Sequence, residues 1–169
     1  MTEGMAAHEH EWLNRQIVDH APEAIIMADR EGIIRLWNAG ASTIFGYSSA
    51  EAIGQSLDLI IPERFRARHW EGFDKVMETG VTRYGAELLA VPAARNNGAR
   101  ISLEFSVTLL RDPSGEVLGI AAIMRDVTER WEEQRQLRQR LADLEAQLAA
   151  KSAHDCRGRS RAACPARPA

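Results

Sequence analysis

The sequence predicts an α+β domain built on an antiparallel sheet, with helices inserted between its second and third strands. From Ile101 to Leu109, apolar Ile101, Leu103, Phe105, Val107 and Leu109 alternate strictly with Ser102, Glu104, Ser106 and Thr108. That is the pattern of a strand with one buried and one wet face. Two short apolar runs, Ala24–Asp29 and Ile33–Trp37, flank Arg30-Glu31-Gly32 and read as a hairpin. Two strands, several helices and three further strands, in that order, place the helices on one face of the sheet.

Residues 9–19 read as a helix carrying Trp12, Leu13, Ile17 and Val18, ended by Pro22. After the hairpin, Asn38 caps a segment to Phe45, and Ser48 or Ser49 caps a turn to Ile53 that Gly54 stops. Pro62 opens a longer helix running to about Met77 and closing at Gly80. Phe65, His69, Phe73 and Val76 recur along it at helical spacing, with Arg64, Arg68, Glu71, Asp74, Lys75 and Glu78 opposite. The third strand is expected over Tyr84–Val91, ended by Pro92, with Arg95-Asn96-Asn97-Gly98 as its turn. The turn Asp112-Pro113-Ser114-Gly115 then leads into a last strand, Val117–Arg125.

From Val127 the period changes to heptads: Val127, Arg130, Gln134, Leu137, Leu141, Leu144 and Leu148 alternate in steps of three and four. The expected organisation is a helical flank (1–16), a globular α+β domain (17–126), a coiled-coil helix (127–150) and a disordered basic tail (151–169). The coil implies a parallel homodimer through 127–148, with the N-terminal helix beside the pair.

The chain has 169 residues, a net charge of -3 and 45% apolar residues, enough for one packed core. The acidic balance argues against nucleic acid as a main partner, and the basic tail has no aromatic residue to stack bases. No apolar run is long enough to span a membrane, and the N-terminus lacks a signal-peptide layout, so the expected location is the cytoplasm. Cys156 and Cys164 lie in the tail at a spacing that fits no zinc signature. His8 and His10 form a pair without further ligands, and a solvated terminus is the simpler reading. No phosphate loop, nucleophile elbow or kinase signature is present, so no enzyme is expected.

Asn38 after an apolar strand, Phe45-Gly46-Tyr47 with Glu51 and Gly54, Ile61-Pro62 before a helix, Asn97-Gly98 in a hairpin turn, and Arg125-Asp126-Val127-Thr128-Glu129-Arg130 together resemble the PAS domain family over about residues 17–130. The resemblance implies a five-stranded antiparallel sheet with helices over one face and a pocket between them. It also implies a sensing or dimerising role, with the signal leaving through a helix that starts at Asp126 and Thr128. Side chains of that pair can bond locally to backbone and fix where strand gives way to helix.

The spacing of His69 from Pro62 and from Thr79-Gly80 is similar to that in haem PAS domains of the FixL oxygen-sensor type, where the corresponding histidine is the proximal ligand. On that resemblance, haem b would sit on His69 among Phe65, Phe73 and Val76, with an apolar far side of Leu89, Leu109 and Met124. Lys75 and Arg83 would face the propionates. Leu89 stands where that subfamily carries an arginine that answers to bound oxygen. A flavin adduct is excluded, because residues 1–155 contain no cysteine. Redox flavin stacked on Trp37 or Trp70 stays open, as does a cofactor-free module whose pocket is filled by Trp37, Phe73 and Leu103, with His69 structural. The expected function is a stand-alone sensory domain that signals to a partner protein in trans. The alternatives are the interaction module and a fragment of a larger signalling enzyme.

Overall fold

The computed structural model describes residues 2–82 and 89–160. The chain divides into two units between Thr128 and Glu129. In the first, β1 (Ala24–Asp29) and β2 (Ile34–Trp37) form the expected hairpin around Gly32. The φ of Gly32 is 73°, a left-handed conformation that costs glycine nothing. β3 (Leu89–Ala94), β4 (Arg100–Arg111) and β5 (Val117–Asp126) complete one antiparallel sheet in the order β2-β1-β5-β4-β3.

α1 (Thr2–His20) precedes the sheet. It runs unbroken through residue 16, where the flank was expected to end, and starts seven residues before the predicted helix. α2 (Ala39–Phe45), α3 (Ser49–Ala52), a 3-10 turn (Leu57–Leu59) and α4 (Glu63–Thr79) lie between β2 and β3. Their ends match the sequence signals. The Asn38 side chain accepts from the Ala41 N–H, and Ser48 and Glu51 form a reciprocal capping box. Gly80 closes α4 in a left-handed conformation.

The core lies between the inner face of the sheet (Ala24, Ile26, Ala28, Leu103, Ala122, Met124) and the helical residues Ala41, Ile44, Phe45, Phe73 and Met77. Asn38 is its one buried polar residue among those described. Its Oδ1 accepts from Ile25 N (2.9 Å) and Ala41 N (2.8 Å). Its Nδ2 donates to the carbonyls of Val18 (2.9 Å), Ala21 (3.3 Å) and Glu23 (2.9 Å). One side chain therefore ties α1, β1 and α2 together.

The two sheet edges end differently. Residues 54–56 pair with the start of the β2 edge: Gly54 N–H donates to the Ile34 carbonyl, Ile34 N–H to the Gln55 carbonyl, and Ser56 bridges to Ile33. β3 carries Pro92 inside the strand, paired with Ser102, so Pro92 does not end the strand as expected. An edge strand accommodates proline because one side of its ladder needs no donor. The predicted strand residues Tyr84–Leu88, and Arg83 before them, lie outside the described residues.

The second unit is α5, whose helix begins at Thr128 and runs to Ser160. Two expectations change. Val127 is buried in the first unit, so the heptad pattern begins after it. Residues 151–160, expected to be disordered, continue the helix. Loss of heptad spacing removes a seam but not helix propensity, which Ala149, Ala150 and Ala153 supply.

Candidate ligand pocket and strand exit

α4 is set over the sheet by Trp70. Its indole N–H donates to Asp58 Oδ1 (2.9 Å), and its ring lies against Gly32, where even a methyl group would fall 2.2 Å from ring carbon. Arg66 adds donors to the carbonyls of Ile61 and Asp58. This anchoring turns the 69–73–77 stripe of α4 inward. Phe73 and Met77 are buried, and His69 packs between Trp70 (ring centroids 5.2 Å apart) and Phe73 (5.9 Å).

Beneath that stripe is a pocket of about 120 Å³. Ile60, Ile61, Phe73, Leu103, Phe105 and Met124 are among its lining residues, and His69 supplies a polar side chain in an otherwise apolar wall. The His69 Nδ1 is buried and makes no hydrogen bond. Burial holds the imidazole below its ordinary pKa of 6.5, against the opposing pull of Asp58 and Asp74. The folded ring is thus harder to protonate than the unfolded one. Its contribution to stability is complete above the unfolded pKa and is lost as pH falls through it toward the lower folded value. Urea midpoints at about pH 5 and pH 7.5 should therefore differ more for the wild type than for His69→Gln. Equal differences would mean that this histidine is not the titrating group.

The expected site is only partly assembled. His69, Phe73 and Met124 line the pocket. Phe65, Val76, Leu89 and Leu109 do not: Phe65 lies under the Arg64 guanidinium (4.5 Å), and Val76 and Leu109 pack on the core elsewhere. Leu89 pairs with Phe105 at the start of β3. Lys75 is exposed, and Arg83 lies outside the described residues. Val91, Pro92, Val107 and Ile120 line the pocket in addition, and Val91 and Pro92 are exposed as well, which puts the mouth at the β3 edge. Trp37 is core rather than a stacking platform. It packs on Phe45 (5.4 Å) and donates to Ser42 Oγ and the Tyr47 carbonyl. Trp70 is occupied as the strut already described.

His69 has the chemistry of a haem ligand, a neutral imidazole in apolar surroundings. The volume does not suit the macrocycle. A cavity of about 150 Å³ holds benzene, and pockets for larger ligands span roughly 300–1,000 Å³. Among the described residues no lysine or arginine lines the pocket to meet propionates. Over the described residues, the pocket has room for neither haem nor the three fused rings of a flavin. Among the described residues no group of three metal-ligating side chains occurs, and His8 and His10 are exposed.

At the strand exit, Asp126 Oδ1 accepts from the Thr128 N–H (2.9 Å) and hydroxyl (2.5 Å), and Asp126 Oδ2 from Arg95 (2.7 Å). Burial alone would raise the Asp126 pKa; the Thr128 bonds and Arg95 outweigh it and hold it below the usual carboxylate value. Ser102 N–H donates to Thr128 Oγ1 (2.9 Å), and Val127 N–H to the Ser102 carbonyl. Asp126 and Thr128 are the pair that the sequence marks at the strand exit, whereas Arg95 reads in sequence only as a turn residue. Arg95 follows directly on β3, which walls the pocket, so the strand exit and the pocket share one hairpin.

A family model for the PAS fold matches residues 18–132. The chain is 30% identical over 134 residues to the sensor protein FixL of Bradyrhizobium diazoefficiens, covering 79% of this chain and 25% of that protein. It is 31% identical over 156 residues to the signal transduction histidine-protein kinase AtoS of Escherichia coli, covering 90% and 24%. The chain thus spans about a quarter of the length of these relatives. Among solved structures, a PAS domain from Colwellia psychrerythraea superposes with a TM-score of 0.63 at 22% identity, covering 71% of this chain and 98% of that one. An RNA-binding light-oxygen-voltage receptor gives 0.64 at 23%, covering 80% and 38%. Fold, strand exit and family match agree: the chain belongs to the PAS family.

Proposed function

We propose that this chain is the sensory module of a signal-transduction protein, and that its pocket takes a small, mostly apolar molecule which hydrogen-bonds to His69. The buried, unpartnered Nδ1 of His69 in an apolar wall carries this reading. A buried polar atom without a partner costs about 1–3 kcal/mol. A ligand hydroxyl or N–H recovers that cost by donating to Nδ1 in one tautomer, and a ligand oxygen does so by accepting in the other. The pocket volume limits the ligand to about the size of one six-membered ring. Ligand entry presses on β3, whose continuation carries Arg95, and so alters the Arg95–Asp126–Thr128 cluster from which α5 starts. The names of FixL and AtoS, a sensor protein and a signal transduction kinase, support such a role. The output lies with a partner chain or a further domain, and no residue here is assigned catalysis.

The test compares phenol with benzene, by calorimetry and thermal shift, on wild type and His69→Leu. Phenol should bind the wild type at least about tenfold more tightly than benzene, and His69→Leu should remove the difference. Failure of both probes to bind overturns the reading in favour of a cofactor-free interaction module. A Soret band in protein purified with haem supplied, absent from His69→Ala, overturns it in favour of haem.

A further inference from the structure

Four leucines of α5, Leu137, Leu141, Leu144 and Leu148, stand 58%, 59%, 55% and 64% exposed. Their steps of four, three and four place them on one stripe of the helix, the d and a positions of consecutive heptads. Gln134 holds the preceding a position. In this frame Glu133 and Arg140 occupy g positions, and Arg138 and Glu145 occupy e positions. The Arg138 guanidinium is already drawn to the e side, lying 6.0 Å from the Trp131 ring centroid and 3.5 Å from Gln134 Oε1.

We propose that α5 pairs in parallel and in register with a second copy of this chain, and that these four charges select both the partner and the register. In a parallel pair, each g residue faces the e residue five positions further along the other helix. Glu133 then meets Arg138 of the second copy, and Arg140 meets Glu145 of the second copy. Two-fold symmetry repeats both contacts, giving four attractive pairs. A slip of one heptad keeps leucine against leucine in two layers (Leu137 with Leu144, Leu141 with Leu148) but sets Glu133 against Glu145 and Arg140 against Arg138. Four attractions become two repulsions, so the charges penalise the nearest competing register as well as favouring the correct one. The short leucine seam makes this discrimination matter, because with few apolar layers the flanking charges are a large share of the pairing energy. The inference is independent of what the pocket binds.

Two full-chain variants test the partner choice. Arg138→Glu with Arg140→Glu makes every e and g charge negative; Glu133→Arg with Glu145→Arg makes every one positive. By sedimentation, each alone should dissociate at least about tenfold more readily than the wild type, and an equimolar mixture should form heterodimers at least as tight as the wild type. A monomeric wild type, or variants that dimerise alone as well as the wild type, would overturn the proposal. Circular dichroism of the mixture confirms that the helix is intact. Register is read from Gln134→Cys with Cys156→Ser and Cys164→Ser, which should oxidise to a disulfide-linked dimer because residue 134 faces its own copy only in the parallel, in-register pair. A dimer that does not cross-link overturns the assigned register.

Discussion

Replacing Asn38 by alanine is expected to destabilise the domain by about 3–4 kcal/mol, measured by urea unfolding followed by circular dichroism. Asn38 serves five backbone groups on α1, β1, α2 and the segment between α1 and β1. Its removal leaves two amides and three carbonyls short of a partner in a region where water has little access. The loss of an ordinary helix cap costs about 1 kcal/mol, so the excess over that value reports the other contacts. Asn38→Asp keeps the acceptor but turns a charged oxygen toward three carbonyls, and should be at least as damaging at neutral pH. A loss below about 1 kcal/mol for Asn38→Ala would mean that Asn38 acts as a cap and nothing more. Gly40 makes the same point sterically: a methyl group there would fall 2.1 Å from the Glu23 carbonyl oxygen, so the backbones meet too closely for any other residue.

Phe73→Ala is expected to cost about 3–5 kcal/mol, the usual range for emptying a buried phenylalanine site. Phe73 is 6% exposed, stacks on His69 and meets Trp70 edge to face at 5.3 Å. It also lines the pocket, so the space released joins the pocket rather than forming a separate void. The variant should therefore gain affinity for a fused two-ring probe such as naphthalene relative to benzene, read by calorimetry on protein that is still folded. An unchanged preference would show that α4 collapses into the space, or that Phe73 is not the wall that limits ligand size.

The sequence made the sheet and the helix ends legible because local chemistry determines them. The alternation over Ile101–Leu109 needs only a buried and a wet face, and the Ser48–Glu51 capping box needs only its own four residues. The pocket was less legible. Helical spacing grouped Phe65 and Val76 with His69, but Trp70 against Gly32 and Asp58 turns the helix so that the 69–73–77 stripe faces inward. Parity along a strand says which face a residue occupies, not which rung lies under α4. Leu109 and Val107 share a face, yet only Val107 reaches the pocket. Arg95 was missed because its partner, Asp126, lies 31 residues away, and nothing near either residue announces the pair.

The treatment of the two sheet edges bears on how the molecule behaves when crowded. A bare edge offers a ladder of amides and carbonyls to any extended chain, and β-rich proteins drift into aggregates by that route. Residues 54 and 55 already pair with Ile34 at the start of β2, and over Leu89–Ala94 the ladder of β3 lacks the amide of Pro92. Strands from neighbouring molecules find poor purchase at either place. Self-association is thereby steered away from backbone pairing, which is indiscriminate, and toward side-chain surfaces, where it is specific and reversible.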